Sequence, residues 1–185
     1  LLPASWRNLW PMPAPTVLVS CVGADARPNA ITLAAAGVAC ATPPLLSVAI
    51  SPKRHSHRLI RETGDFVVNV PSADQAELAD RCGTVSGRDC DKFARLGITP
   101  APAKAVRSPL IAECPVNYEC TVFRVVPCGS HDLFLGEVKA VHVNAELLNP
   151  SGDGLDPARF EALLSLQTAY FAVGRRIGDW FFSRV

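Results

Sequence analysis

The sequence predicts a mainly β fold, a β-barrel with flanking helices. Three observations carry this reading. Two long β-rich runs, 116–126 and 133–143, are joined by Pro127-Cys128-Gly129-Ser130, a composition suited to an antiparallel hairpin turn. Upstream, β-branched and small apolar residues fill four more strand-length runs, at 16–23, 29–41, 45–50 and 65–70. Six strands in all are enough to close a small antiparallel barrel and remove its edges.

The elements follow in order. Residues 1–15 hold four prolines, with Trp6 and Trp10, and read as an extended arm. Residues 24–29, with Asp25 and Pro28, turn the chain between the first two strands, and Pro43-Pro44 breaks it after 29–41. A turn at 51–57 leads into a short helix at 58–62. Ser72 is an N-cap candidate for a surface helix over 72–82, where Ala76, Leu78 and Ala79 form the apolar side. Residues 83–91 form a glycine-containing loop and 92–96 a brief helical turn. Prolines at 102, 109 and 115 keep 101–115 extended and irregular. After the hairpin, 149–154 is a turn and 156–166 reads as an acid-started helix. The tail from 167 carries Tyr170, Phe171, Trp180, Phe181 and Phe182, which need cover from the barrel or from a second subunit.

The bulk properties bound the function. A chain of 185 residues, 49% hydrophobic and 19% charged, fits one globular domain with a full core. A net charge of +1 gives no footprint for nucleic acid or for an anionic membrane, so any anion site is local. No run is long and apolar enough for a membrane span or a signal peptide. Seven cysteines without a C-x-x-C pair, several in apolar runs, suit a reduced cytoplasmic protein. The four histidines lack metal-ligand partners at usable spacing.

The chemistry concentrates in the turn at 51–57, where Ser51, Lys53, Arg54, His55, Ser56 and His57 stand just before a helix. Hydroxyl donors, positive charge and a helix N-terminus at one place suit a phosphate, although a solvated basic loop would share this composition. Upstream, Ala34, Ala35, Ala36 and Gly37 leave backbone unshielded, which suits a flat ligand as well as close packing. Ser86-Gly87-Arg88-Asp89 reads either as a surface turn with an Arg–Asp pair or as part of the site. His131, between Ser130 and Asp132, is either a local hydrogen-bonding device with its neighbouring aspartate or a site residue. No Gly-x-Gly-x-x-Gly fingerprint and no nucleophile triad occur.

Several pieces in this order resemble the flavin reductase-like FMN-binding split barrels, in particular their flavoredoxin-type branch. They are Pro15 to Ser20, Asn29 to Thr32, Thr42-Pro43-Pro44, Gly64 to Asn69, Cys82 to Asp89, Asp91-Lys92-Phe93, Gly129 to Phe134 and Gly136-Glu137-Val138, and together they cover roughly residues 13 to 180. The resemblance implies a six-stranded split barrel that binds FMN and pairs as a homodimer. It places Ser51, Arg54, His55 and Ser56 on the phosphate, with Ser86, Arg88 and Lys92 adding positive charge nearby. Asn29, Ala30, Ile31, Thr32, Ala34 and Ala35 are expected along the flavin ring edge. His131 is expected to face the cleft as the catalytic residue, contacting a nicotinamide or protonating reduced flavin. Relatives commonly carry tyrosine at the position of His55 and some carry tryptophan at that of Ala35. The implied activity is hydride transfer from NADH or NADPH to FMN and on to a small-molecule or protein acceptor. An FMN-bearing electron carrier and a non-catalytic FMN-binding barrel share the same motifs.

Overall fold

The structure is a computed structural model that describes residues 12–178. The expectations for Trp6, Trp10, Trp180, Phe181 and Phe182 lie outside the described residues. Along the chain come β1 (Ala14–Pro15), β2 (Val17–Val22), β3 (Pro28–Leu33), β4 (Ala36–Cys40), β5 (Leu45–Ile50), α1 (His55–Thr63) and β6 (Asp65–Val70). After a 3-10 turn at Ala73–Gln75 follow α2 (Ala76–Thr84), α3 (Lys92–Leu96), β7 (Pro100–Ala101) and β8 (Leu110–Ile111). The hairpin β9 (Val116–Pro127) and β10 (Asp132–Val143) precedes a 3-10 turn at Ala145–Leu147, β11 (Leu163–Leu166) and β12 (Ala169–Ala172).

The main sheet has seven strands in the order β3-β2-β6-β9-β10-β5-β4. One more strand than expected arises because the run 29–41 breaks at Ala34 and Ala35 into β3 and β4. These two strands stand at opposite ends of the hydrogen-bonded order, yet only two residues link them. A link that short reaches no more than about 11 Å from strand to strand, so the sheet must curl round on itself. The Ala49 N–H donates to the Ala35 carbonyl at 2.9 Å and ties the link to β5. The barrel is split here.

Alternation along the strands divides the core in two. Val17, Val19 and Cys21 of β2 point into the barrel with Ile31, Val48, Ile50, Phe66 and Phe134, where Leu59 and Ile60 of α1 plug one side. Leu18 and Ala30 point outward and pack with Ala79, Cys82, Phe93, Ile111 and Leu163. This double cover explains why β2 is buried along its whole length. Gly136 lets β10 cross Phe66, since a Cβ there would stand 2.4 Å from the ring.

Three local expectations need correction. The helix expected at 58–62 begins earlier, at His55, so His55, Ser56 and His57 lie in its first turn; it ends at Gly64 in the left-handed conformation (φ 75°). The helix expected from Ser72 starts as a 3-10 turn, with a capping box between Ser72 and Gln75, and α2 then extends to Thr84. Residues 156–166 form no helix: Arg159 N–H closes one turn on the Asp156 carbonyl, and β11 pairs with both β1 and β12. Phe160, Leu163 and Leu164 do have helical spacing. Pairing with the distant β1 and with β12 across a two-residue turn, together with the Pro71 carbonyl that accepts from Leu163 N–H at 3.1 Å, overrides it.

Residues 101–115 are irregular, as expected, and two carboxylates fasten them. Asp65 accepts from Ser108 N–H (3.1 Å), the Ser108 hydroxyl and Arg107 N–H. Glu119, fully buried on β9, accepts from Lys104 N–H (2.8 Å) and Ala105 N–H (2.5 Å) and meets His142 Nε2 at 2.5 Å.

Candidate functional site

A cavity of about 360 Å³ opens at the split. Every predicted site residue except Ala30 lines it, joined by Leu33, Ala49, Lys53, Gly83, Thr84, Val85 and Gly87. Lys53 stood within the basic turn, and Gly83, Thr84 and Val85 within the quoted Cys82 to Asp89 motif. Leu33 and Ala49 had no signal beyond their strands.

One end of the cavity is cationic. The turn closes with Arg54 N–H on the Ser51 carbonyl at 2.9 Å, and Arg54 then N-caps α1 without a side-chain cap. With no acidic residue in the first turn, the helix N–H groups and positive dipole end stay available beside the exposed Arg54 and Lys53. Ser56 is buried and its Oγ accepts from Asn29 Nδ2 at 2.7 Å, which leaves its hydroxyl proton for another partner. Burial lowers the His55 pKa, and the guanidinium charges of Arg58, Arg88 and Arg27 lower it further, so the imidazole is neutral at pH 7.

Two buried atoms beside this end, Asn29 Oδ1 and His55 Nδ1, have no hydrogen-bond partner among the described residues. Buried polar groups are normally satisfied, and a ligand hydroxyl here would supply the donor that Asn29 Oδ1 lacks and could pair with His55 Nδ1 as well. They lie under Gly87, where a Cβ would come within 2.0 Å of Asn29 Oδ1. Arg27 Nη2 holds this loop through the Gly87 carbonyl at 3.3 Å, and Asp89 N–H closes it on the Ser86 carbonyl at 3.1 Å. Residues 86–88 therefore roof the cavity.

Lys92 departs from its expected role. Its side chain is buried, and Nζ donates to the Ala30 and Cys82 carbonyls at 2.8 Å each. Burial lowers its pKa. It lines the cavity as a tie between β3, α2 and α3 rather than as an exposed cation. Ala30 itself is fully buried against the outer core, and only its neighbours Asn29 and Ile31 reach the cavity.

The other end is built from small residues. Thr32, Ala34 and Ala35 form a floor with little side chain, and the Thr32 hydroxyl donates to the Ala79 carbonyl at 2.5 Å, leaving only its lone pairs for a ligand. His131 reaches in from the β9–β10 turn, with Nδ1 3.0 Å from Ser130 Oγ. Its neighbour Asp132 pairs with His57 Nε2 at 2.8 Å. That partly buried pair fastens the first turn of α1 to the start of β10 and so connects the cationic end with the His131 turn. His57 stood in the basic turn, and Asp132 was noted only beside His131; nothing local in the sequence paired the aspartate with His57.

The cysteines stand outside this chemistry. Burial raises the pKa of Cys21 to about 12 and that of Cys120 to about 12, which leaves both as inert thiols. Among the described residues no His, Cys, Asp and Glu cluster could hold a metal ion.

The model of the family described as flavin reductase like domain matches residues 9–173. The chain belongs to the flavin reductase-like family. The reductase component of a 4-nitrophenol 4-monooxygenase/4-nitrocatechol 2-monooxygenase from Rhodococcus opacus is 30% identical over 80% of this chain and 75% of its own length. An uncharacterised protein of Archaeoglobus fulgidus is 42% identical over 52% of this chain. The chain spans about half the length of this and two further archaeal relatives, with matches over 55%, 39% and 56% of those proteins. Among solved structures, flavoredoxin of Desulfovibrio vulgaris (Miyazaki F) superposes with a TM-score of 0.90 at 30% identity, covering 99% of both chains.

Proposed function

We propose that this protein is an FMN-binding oxidoreductase of the flavin reductase type, which takes hydride from NADH or NADPH and passes electrons to a small-molecule or protein acceptor. The observation that carries the reading is the two-ended cavity at the barrel split. One end offers Ser51, Arg54, Ser56 and the α1 N-terminus to a phosphate, and the other offers the bare backbone of Thr32 to Ala35 to a flat ring. The unpartnered Asn29 Oδ1 and His55 Nδ1 support a ligand rich in hydroxyls between them. When bound, FMN supplies the hydride-accepting and electron-releasing chemistry. Arg54 and Ser51 hold the phosphate, the 86–88 loop keeps water from it, and His131 holds or donates a proton beside the ring. The protein acts as a homodimer in the cytoplasm, a compartment that suits its seven free thiols. No helix among the described residues is long and apolar enough to cross a membrane.

The purified protein should carry a flavin spectrum and bleach when NADH or NADPH is added without oxygen. Failure to retain FMN after reconstitution would overturn the reading. Likeness to a flavoredoxin over the whole chain favours one second reading, an FMN carrier that exchanges electrons mainly with another protein. Slow bleaching by both nucleotides together with fast protein-to-protein transfer would decide for it.

A further inference from the structure

Asp132 touches the segment 51–57 at both of its ends. Its backbone pairs in register with Ile50, the residue before Ser51, and its Oδ2 accepts from Nε2 of His57 at 2.8 Å. Its neighbour along the chain is His131, whose carbonyl accepts from Cys128 N–H at 3.0 Å and closes the β9–β10 turn. One residue therefore joins the segment that carries Ser51, Arg54 and Ser56 to the turn that carries His131.

The His57 ring is held from two directions. It is buried, and besides the hydrogen bond to Asp132 it meets the fully buried Phe134 edge-on, with ring centroids 5.1 Å apart and the planes at 82°. Asp132 and Phe134 stand two residues apart on β10 and share one face of it, so a single strand fixes both the position and the tilt of the imidazole. Because a carboxylate only accepts, Nε2 carries the hydrogen. Arg54 caps α1 without a side-chain hydrogen bond, and the first turn takes its placement from Ser56, tied to Asn29 of β3, and from His57, tied to β10.

Resting on the reading of the cavity as the flavin site, we propose that Asp132 and His57 are positioning residues for flavin reduction. A phosphate held at Ser51, Arg54 and Ser56 fixes where the ring lies, and the pair fixes where His131 stands relative to that phosphate. The separation of ring and histidine is then set by the tie between the two segments. Misplacing a reacting group by about 1 Å costs about 100-fold in rate. The effect belongs to a flavin anchored by its phosphate. Riboflavin lacks that anchor and settles against His131 without regard to the pair.

Reduction of FMN and of riboflavin is followed by stopped flow without oxygen, at saturating flavin and saturating NADH or NADPH, in the parent protein and its variants. Asp132→Ala should slow FMN reduction about tenfold or more and riboflavin reduction less than about threefold. Asp132→Asn, whose side-chain oxygen still accepts from His57 Nε2–H, and His57→Gln, which keeps a donor, should both stay within about threefold of the parent for FMN. Adding Asp132→Ala to His131→Ala should slow FMN reduction by less than about threefold further, because both changes disable one device. Equal slowing of the two flavins, an unchanged FMN rate in Asp132→Ala, or losses that multiply in the double variant would overturn the inference. So would an unchanged rate in His131→Ala, or a parent that holds FMN and is bleached by neither nucleotide, since the pair would then have nothing to position. If Asp132→Ala does not fold, His57→Leu, which keeps an apolar contact with Phe134, carries the same expectations. Loss of FMN binding in the unmodified protein would instead sink the flavin reading.

Discussion

At the scale of single residues, the chemistry of this site separates into charge at one end and bareness at the other. Arg54 is exposed, caps α1 by backbone alone and has no acidic residue in the turn that follows. A guanidinium in that position gains most from a phosphate, because charge-assisted hydrogen bonds are worth about 1.5–3 kcal/mol each. Arg54→Ala should weaken FMN at least about tenfold and leave riboflavin, which lacks the phosphate, almost unchanged. Equal losses for the two ligands in a fluorescence titration would show that Arg54 does not touch phosphate. His131 poses a different question, since its side chain lines the cavity from the β9–β10 turn. His131→Ala should slow anaerobic flavin reduction about 10- to 100-fold with FMN affinity intact, the size expected of a positioned acid–base group. Stopped-flow bleaching at saturating nucleotide reads this directly, and an unchanged rate makes the histidine a spectator.

At the scale of elements, most of the barrel was legible in the sequence and most of the cross-ties were not. The hairpin of β9 and β10 followed from its own β-rich composition and its Cys-Gly-Ser turn, and the basic turn before α1 from residues adjacent in sequence. By contrast β11 was misread, because Phe160, Leu163 and Leu164 repeat at helical spacing and the pairing with β1, about 150 residues earlier, is invisible to a local reading. The same blindness hid the His57–Asp132 pair, the Lys92 tie and the Glu119 clamp, each of which joins residues distant in sequence. Glu119 shows what such a tie does to stability. Burial pushes its pKa up, but the Lys104 and Ala105 amides and His142 outweigh this and hold it below the ordinary glutamate value. A carboxylate whose folded pKa is depressed adds stability above its unfolded pKa, and that stability is lost as pH falls through the folded one. Glu119→Gln should therefore cost about 1–3 kcal/mol at pH 7, from amides left poorly satisfied. The gap between variant and parent in urea unfolding should narrow in acid. A gap independent of pH would mean that packing, and not charge, sets the cost.

At the scale of the whole molecule, the curled sheet leaves a surface that a lone barrel does not cover. Its order ends on β4, where Val38 is 82% exposed, and Phe123 on β9 and Val141 on β10 are 51% and 53% exposed. An open strand edge flanked by apolar side chains is a place where soluble proteins either place charges or seat a partner. β4 and β5, with the sequences AGVAC and LLSVAI, carry no charged side chain. A second copy of the chain is the occupant that the proposed homodimer supplies, and an obligate interface of that kind commonly buries above about 2,000 Å². If the dimer forms on this face, Val38→Lys and Phe123→Lys should each shift sedimentation toward monomer, with far-ultraviolet circular dichroism unchanged. The parent should sediment near twice its 19.8 kDa chain mass. Because assembly and ligand binding are linked wherever the dimer binds FMN more tightly than the monomer, raising FMN should pull the variants back toward dimer at micromolar protein. A parent protein that sediments as a monomer while fully loaded with flavin would remove the partner subunit from any account of this site.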